Sequence, residues 1–303
     1  MRIGISICSN FKVEDPRLGA RHMIERARAA RGADLDSLFV GDHHVTSSPY
    51  YQNNAILGSL FAPWGNKPAG GLYLLPFWHP VLLAEQIGTL AAIAEGRFIM
   101  QCSLGGDPKQ ADGMGVNLKH RVSMFEDALN IMQALWRGEC VTHKRYWNIK
   151  NARISPVPAE SVEIWIGAMA PPAINRAARM AQGWLAAPHL NLSQALDQLN
   201  QYQQACTEHQ RSPSATAIRR DIFIGATSQE ADRVRQHYLD AGYRGFSADA
   251  MMVGSVSEVV DLMAEFGEVG YTDIIVRNMS ADQGEALATI ERLSDVKRQL
   301  ESQ

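Results

Sequence analysis

The sequence lacks the signatures of several large protein classes. Its four cysteines, Cys8, Cys102, Cys140 and Cys206, lie far apart, with no C-x-x-C spacing for zinc and no dense disulfide framework. A formal net charge of -3, without a basic stripe carrying aromatic residues, disfavours nucleic acid as a partner. No window of about 18 apolar residues occurs, and the first apolar run is too short for a signal peptide. We therefore expect a cytoplasmic protein that neither spans a membrane nor is exported.

The chain is rich in apolar residues, and their arrangement predicts the fold. With 303 residues, 46% of them hydrophobic, it can bury a large core. Short apolar runs alternate with longer stretches of helical period, a pattern typical of βα units around a parallel sheet. In one such stretch Pro80 suits a first helical turn, and Leu83, Ile87 and Leu90 share a face. The predicted strands are residues 2–8, 37–41, 71–76, 98–103, 163–167, 184–188, 221–226 and 273–278.

Eight βα units in a chain of this length predict a (β/α)8 barrel of the TIM type, although a doubly wound sheet with fewer strands also fits. Residues 139–160 have no helical period and hold Pro156 and Pro158 just ahead of strand five. We interpret them as a loop or short hairpin inserted before strand five. Because no flexible linker, repeat or block of like charge divides the chain, we expect a single domain over residues 1–303.

The sequence GDHH at residues 41–44 stands where the second predicted strand gives way to its loop. In a (β/α)8 barrel, the carboxyl ends of the strands carry the functional groups. If the extended conformation continues, His43 points away from the side shared by Asp42 and His44, and one histidine faces the cavity. Packing or loop-bonding histidines are the alternative. We expect no metal, because three adjacent side chains cannot surround one ion without an irregular backbone.

Two further stretches follow predicted strands. Trp78 and His79 come just after the third strand, where aromatic side chains suit a flat ring system or form a hydrophobic plug. The sequence SLGGDP at residues 103–108 lets a backbone approach a ligand, but its glycine pair lacks the G-x-G-x-x-G context and indicates a tight turn equally well.

Several segments together resemble the luciferase-like flavin monooxygenases in order and spacing. They are GDHH (41–44), LLPFWHPVLLAEQIGTLAAIAEGRF (74–98), RVSMFEDALNIMQALWRGE (121–139), EIWIGAMAPPAINRAARMAQGWL (163–185) and VGSVSEVVDLMAEFGEVGYTDIIV (253–276). The resemblance implies a (β/α)8 barrel with an insertion before strand five, a homodimer, and a cofactor bound at the carboxyl ends of the strands.

The resemblance also implies the chemistry. Reduced FMN, supplied by a separate flavin reductase because no nicotinamide motif is visible, would react with dioxygen to oxygenate a small-molecule substrate. If the cofactor is a deazaflavin coenzyme instead, the reaction would be hydride transfer without oxygen. The sequence favours FMN without excluding the deazaflavin. The alternative from a different functional class is a barrel that binds a flavin without catalysing a reaction.

Transferred position by position, the resemblance assigns individual residues. His43 would be the catalytic acid–base group. The substrate pocket would include Asp42, His44, Tyr50, Tyr51 and Trp78. The cofactor would contact Gly71, Leu72, Ser103, Leu104, Gly167, Ala168, Met169 and Ala170, with a cis peptide between Gly71 and Leu72 beneath its ring.

The turn after strand five departs from the family pattern. It reads GAMAPPAINRAA, without the side-chain hydroxyls that many relatives place at the cofactor phosphate. Backbone N–H groups at a helix start can bind phosphate, but Pro171 and Pro172 each lack one. We therefore expect the phosphate site to be poor in donors and the cofactor to bind weakly.

Overall fold

Strands and helices alternate along the chain in the computed structural model, which describes residues 1–302. The strands are β1 (Arg2–Ile7), β2 (Ser37–Val40), β3 (Ala69–Leu74), β4 (Phe98–Ser103), β5 (Val141–His143), β6 (Ile149–Ala152), β7 (Glu163–Gly167), β8 (Gly183–Ala186), β9 (Ala215–Ile224), β10 (Met251–Gly254) and β11 (Asp273–Asn278). The helices are α1 (Pro16–Gly32), α2 (Asn53–Trp64), α3 (Pro80–Ile93), α4 (Pro108–Gly113), α5 (Arg121–Trp136), α6 (Pro171–Met180), α7 (Leu192–Glu208), α8 (Ser228–Asp240), α9 (Val256–Glu268) and α10 (Gln283–Glu301). Short 3-10 turns lie at Leu75–Phe77, Leu118–His120, Tyr243–Gly245 and Ala248–Ala250. Within the described residues, no helix combines the length and apolar character needed to cross a membrane.

Eight parallel strands close into a barrel, as the sequence predicted. Their order is β9-β11-β1-β2-β3-β4-β7-β8, and β8 pairs again with β9. The alternative of a doubly wound open sheet is therefore wrong. The interrupting segment forms an antiparallel hairpin of β5 and β6 before the fifth barrel strand, β7. β10 is an additional short strand that pairs in parallel with the last four residues of β9.

The chain separates into two compact units. The first unit contains residues 1–8 and 21–39 and the chain from Trp165 onward, and the second contains residues 9–20 and 40–164. In the core of the first unit, the Trp184 ring stacks on Tyr202 with ring centroids 5.0 Å apart. That the whole chain behaves as one domain stays a prediction.

The second unit has an apolar core, and α3 contributes to it the face that the sequence predicted. Leu83, Ile87 and Leu90 are all buried and form one face of α3, which begins at Pro80. The helix ends at Ile93, which is exposed. The periodic apolar face of this helix is therefore the side that packs.

The pairing of β3 with β4 is regular where an unusual peptide bond was expected. Gly71 pairs with Met100, and Leu72 with Gln101, in an unbroken parallel ladder. A Cβ at Gly70 would lie 1.8 Å from the carbonyl oxygen of Ile99, so the glycine is required for the close approach of the two strands. The cis peptide expected between Gly71 and Leu72 is wrong for this structure, since the cis bond of the described residues lies elsewhere, at Ser155–Pro156.

Candidate active site

Asp42 and His44 share one side after β2, as the alternation predicted. The position of a Cβ at Gly71 lies within 3.5 Å of side-chain atoms of Leu57 on α2 and of Val40, so Val40 is on the side that faces α2. Farther along the same side, His44 Nε2 lies 3.0 Å from Asp42 Oδ1. By the alternation of an extended backbone, His43 is assigned to the opposite side, away from α2.

Asp42 connects the end of β2 to the end of β3. Its Oδ2 accepts hydrogen bonds from the Leu74 backbone N–H and from Trp78 Nε1, each 2.8 Å long. Its side chain is 0% exposed. The second oxygen, Oδ1, contacts His44 Nε2 but is not aligned with it as a hydrogen bond. This carboxylate therefore holds the two loops in place, because its loss would leave a buried N–H and a half-buried indole N–H without an acceptor.

His44 is packed rather than open to a ligand. Its side chain is 10% exposed, and its ring stands edge-on to Phe77 and to Trp78, with centroids 6.1 and 5.5 Å away. Its backbone N–H donates to Gln110 Oε1 at 2.9 Å. His44 is therefore a packing histidine, which was the alternative to a functional role. Within residues 1–302, no group of three or more His, Cys, Asp or Glu side chains could hold a metal ion.

His43 is the histidine left available for chemistry. It is half-buried, and its ring lies against Tyr50 with centroids 5.6 Å apart. Its carbonyl oxygen accepts a hydrogen bond from Gln52 Nε2 at 3.2 Å, which fixes the main chain while the imidazole stays partly open. A Cβ at Gly41 would lie 2.7 Å from the Tyr50 hydroxyl, so Tyr50 covers the same side of the strand end as His43.

Tyr51, by contrast, is directed toward α1. Its hydroxyl donates to the Pro16 carbonyl oxygen, and its ring stands edge-on to Phe11 at 6.0 Å. The five residues predicted for the substrate pocket are thus distributed over three places. Tyr50 lies beside His43, Tyr51 packs against the start of α1, and Asp42, His44 and the half-buried Trp78 contact one another.

The ends of β3 and β4 carry the residues expected to face a cofactor ring. Leu72 and Ser103 are half-buried, and Leu104 directly after β4 is half-buried as well. Since Gly71 is oriented toward α2, Leu72 is oriented away from it, on the same side as His43. The Leu72 carbonyl oxygen accepts a hydrogen bond from Asn53 Nδ2 at 2.8 Å, which ties the strand end to α2.

Gln101 is a residue that sequence reasoning missed. It pairs with Leu72 in the ladder, so its side chain lies on the same side of the sheet, two residues before Ser103. The residue is buried, and its Nε2 has no hydrogen-bond partner among the described residues. Its signal in the sequence was a single amide in the otherwise apolar run FIMQCS. Because buried donors are normally paired, this atom indicates a missing acceptor.

Tyr73 supports the opposite side of β3. Its hydroxyl donates to Asn54 Oδ1 at 2.7 Å, and the Asn54 amide in turn donates to Gln86 Oε1. Burial, with a smaller contribution from Asp42, raises the pKa of the Tyr73 phenol well above its ordinary value. Tyr73 is therefore a neutral donor that fixes the start of α2 against the strand.

The remaining predicted cofactor residues lie in the first unit, where β7 turns into α6. Gly167 ends β7, and the Ala168 carbonyl oxygen accepts a hydrogen bond from Trp184 Nε1 at 2.9 Å. Met169 is 47% exposed, and Ala170 is the N-cap of α6 without a side-chain cap. The helix begins with Pro171 and Pro172, which supply no N–H. The turn therefore offers no side-chain donor, as its sequence indicated.

A family model described as the luciferase-like monooxygenase matches residues 1–253. The chain belongs to this family. The F420-dependent glucose-6-phosphate dehydrogenase of Microbacterium testaceum (strain StLB037) is 28% identical over 188 residues, which cover 58% of this chain and 55% of the relative. The chain thus spans about half the length of the curated relatives that it matches. The match confirms the family resemblance found in the sequence.

Solved structures of this luciferase-like fold match nearly the whole chain. An F420-dependent secondary alcohol dehydrogenase in complex with an F420-acetone adduct has a TM-score of 0.83 at 17% identity, covering 99% of this chain and 98% of that one. The oxygenating constituent of 3,6-diketocamphane monooxygenase from Pseudomonas putida, in complex with FMN, has a TM-score of 0.79 at 20% identity, covering 97% of each chain. At these identities the likeness establishes the barrel fold.

Proposed function

We propose that this chain is a deazaflavin-dependent oxidoreductase that interconverts a small alcohol and its carbonyl compound, with His43 exchanging the proton on the substrate oxygen. The observation that carries the proposal is the placement of His43. It is a half-buried imidazole that follows the end of β2 and lies beside Tyr50, whereas Asp42, His44 and Trp78 contact one another. The curated relatives named F420-dependent glucose-6-phosphate dehydrogenases support the deazaflavin over FMN.

The residues of the second unit fit a flat ring that carries carbonyl oxygens. Leu72 and Leu104 offer half-buried apolar surface, and Ser103 offers a hydroxyl. The buried Gln101 Nε2 has no partner among the described residues, and a ring carbonyl would supply the acceptor it lacks. These four residues would hold the ring. When bound, such a coenzyme accepts or returns a hydride, which is the chemistry that this chain's own side chains lack.

His43 would provide the proton transfer that accompanies alcohol oxidation. The alcohol hydroxyl must lose a proton as its carbon becomes a carbonyl, and imidazole accepts and releases protons near neutral pH. Asp42 is a positioning residue in this scheme. By holding the Leu74 N–H and the Trp78 indole, it fixes the strand ends between which His43 is carried. Tyr50 shields one face of the imidazole from water.

Oxygenation of a small substrate by reduced FMN is the second candidate, because the matching family model is described as a monooxygenase. The apolar surface of Leu72, Leu104 and Tyr50 suits it, since oxygen chemistry at a reduced flavin requires exclusion of water. A separate reductase would then supply the reduced flavin. The homodimer implied by the family resemblance stays a prediction that light scattering of the purified chain would check.

One experiment distinguishes these candidates. The purified chain is mixed with oxidised F420 and a panel of alcohols and sugar phosphates, and loss of the coenzyme's visible absorbance is followed under argon. In parallel, the chain with reduced FMN is placed in an oxygen electrode with a panel of aldehydes and ketones. Substrate-dependent F420 reduction that is lost in His43→Ala supports the proposal. Substrate-dependent oxygen consumption without F420 reduction would favour the monooxygenase instead.

A further inference from the structure

A short helix of the second unit carries a buried glutamine. α4 spans only Pro108–Gly113, yet Gln110 on this helix is 5% exposed. Its Oε1 accepts a hydrogen bond of 2.9 Å from the His44 backbone N–H, and its Nε2 donates one of 3.3 Å to Asp107 Oδ2. Only this orientation of the amide pairs its acceptor with a donor and its donor with an acceptor. The side chain therefore links α4 to the main chain after β2.

Asp107 holds the glutamine from the start of α4. It is the N-cap of the helix, and its Oδ1 accepts a hydrogen bond of 2.9 Å from the Lys109 backbone N–H. Its other oxygen accepts the hydrogen bond from Gln110. Because the capping bond fixes the carboxylate and the carboxylate fixes the amide, Gln110 Oε1 is presented to the loop after β2 in one direction.

The bond from Gln110 is made to the peptide unit that directly follows the Cα atom of His43. The N–H of that unit belongs to His44, and its carbonyl oxygen belongs to His43 and accepts a hydrogen bond of 3.2 Å from Gln52 Nε2. The N–H and C=O of a trans peptide point in opposite directions, so this unit is held from two sides. Holding its plane fixes the rotation between the Cα and the carbonyl carbon of His43. The direction in which the imidazole leaves the main chain is fixed with it.

The turn that follows is strained and contacts the same helix. Val45 has a φ of 53°, a left-handed conformation that is unfavourable for a side chain branched at Cβ. A Cβ at Gly113 would lie 2.6 Å from Val45 Cγ1, so the glycine allows the valine to approach the end of α4. Strain of this kind persists where the surrounding structure enforces it, and it is often found at functional sites. The helix thus contacts the loop after β2 at two successive residues, His44 and Val45.

We propose that Gln110 is a positioning residue for His43, because it holds the peptide unit that sets the orientation of the imidazole. This role is distinct from the packing of the His44 ring on Phe77, and all of these residues belong to the second unit. An acid–base group must stay within hydrogen-bond reach of the proton it transfers, and a misplacement of about 1 Å can cost about 10²-fold in rate. The inference rests on the proposed function in taking His43 as the acid–base group.

Three variants separate positioning from stability. Gln110→Met keeps the length of the side chain but removes the acceptor of the His44 N–H. The double variant Asp107→Asn/Gln110→Glu exchanges donor and acceptor, so it keeps that acceptor, the bond between positions 107 and 110, the helix cap and the net charge. Thr216→Val is the matched control, because it removes a buried hydrogen bond of 2.9 Å to the Gly270 carbonyl oxygen at the start of β9, in the first unit. Gln110→Met and Thr216→Val should lower the melting temperature to a similar extent.

The first measurement follows the imidazole of His43 in the full chain without coenzyme. NMR of ring-labelled histidine reports on the nine histidines, and His43→Ala assigns the His43 signal. The Tyr50 ring, whose centroid is 5.6 Å from that of His43, makes this signal sensitive to the orientation of the imidazole. Gln110→Met should shift or broaden the signal. The double variant should return it to the parental position, and Thr216→Val should leave it unchanged.

The second measurement is turnover with F420 and an alcohol that the parent protein oxidises. Gln110→Met should lower kcat about 10- to 100-fold with little change in KM, because the substrate still binds while proton transfer is misaligned. The double variant should recover most of kcat, and Thr216→Val should retain it. Gly113→Ala displaces the same loop in a second way, since its methyl group would meet the Val45 side chain while the buried amide stays in place. It should lower kcat as well.

A His43 signal that is unchanged in Gln110→Met would overturn the inference. A kcat that falls no further than in Thr216→Val, or a double variant that stays as slow as Gln110→Met, would do the same. If Gln110→Met does not fold, an unchanged His43 signal in Gly113→Ala is the contradicting result. If the His43 signal responds as expected but the parent protein reduces no F420 with any alcohol, only the proposed function is refuted.

Discussion

His43→Ala should remove catalysis while leaving the fold nearly intact. The imidazole is half-buried, and the contact it loses is the one with the Tyr50 ring. An aromatic pair of this kind contributes about 0.5–1.5 kcal/mol. The hydrogen bond from Gln52 goes to the His43 main chain and survives the change. In a chain of this size, about 1 kcal/mol lowers the melting temperature by roughly 2–4 °C.

Asp42→Ala is the matched change on the opposite side of the same strand end. It would leave two donors, the Leu74 N–H and the Trp78 indole, without their acceptor. Each unsatisfied buried group costs about 1–3 kcal/mol, so we expect a loss of about 2–6 kcal/mol in the free energy of unfolding. Its melting temperature should therefore fall well below that of His43→Ala.

The effect of His43→Ala on rate should be much larger than its effect on stability. Acid–base catalysis by a positioned side chain contributes about 10²- to 10⁴-fold in rate, or about 3–5 kcal/mol of transition-state stabilisation. Single-turnover stopped-flow measurement of coenzyme absorbance gives the rate, and thermal melting gives the stability. Added imidazole should restore part of the lost rate in His43→Ala, because it can occupy the position of the missing side chain. It should not restore the rate of Asp42→Ala.

Two results would refute this reasoning. The first is a folded His44→Ala variant that loses more activity than His43→Ala, which would mean that the buried histidine carries the proton. The second is a His43→Ala variant that melts as low as Asp42→Ala. That outcome would show that the imidazole is part of the packing rather than available to a substrate.

Three further predictions concern the cofactor turn, a close strand contact and the domain organisation. Ala170→Ser should tighten binding of the reduced cofactor by about 0.5–1.5 kcal/mol, measured by fluorescence titration, and equal dissociation constants would place the phosphate elsewhere. Gly70→Ala should destabilise the fold by more than about 4 kcal/mol because β3 and β4 must separate, whereas Gly58→Ala, with open space around its Cβ in α2, should raise the melting temperature slightly. Limited proteolysis should cut mainly within residues 104–120 or 139–160, and two stable fragments of similar size would contradict a single domain.

The barrel was predictable because its signal is local and repeated. Each of the eight predicted strands corresponds to a barrel strand, since an apolar run followed by a helical period needs no distant contact to be recognised. The seventh strand was predicted to begin at residue 221, but β9 begins at Ala215. Arg219 and Arg220 interrupted the apolar run in the sequence. The strand tolerates both because Arg220 stacks on Phe266 beneath the helix layer, a contact that no local pattern reveals.

Of the site, the sequence predicted only which neighbouring side chains share a side of the strand. The alternation rule put Asp42 and His44 on one side, where their side chains are in contact, because it depends on neighbouring residues alone. It could not show that Asp42 would be fully engaged by Leu74 and Trp78, which lie 32 and 36 residues away in the chain. Trp78 thus donates a hydrogen bond to Asp42 after the end of β3, although its position in the sequence equally suited stacking on a ligand.

Charge is the property for which composition is least informative about this protein. A formal net charge of -3 is a sum over the whole chain, whereas charged side chains interact over short distances because salt screens the longer ones. Arg219, Arg244 and Arg277 nevertheless meet around Asp221, because β9 pairs with β11 and the loop after α8 brings Arg244 to them. The net charge of a chain therefore does not show where its charged side chains gather, because that depends on contacts between residues distant in the sequence.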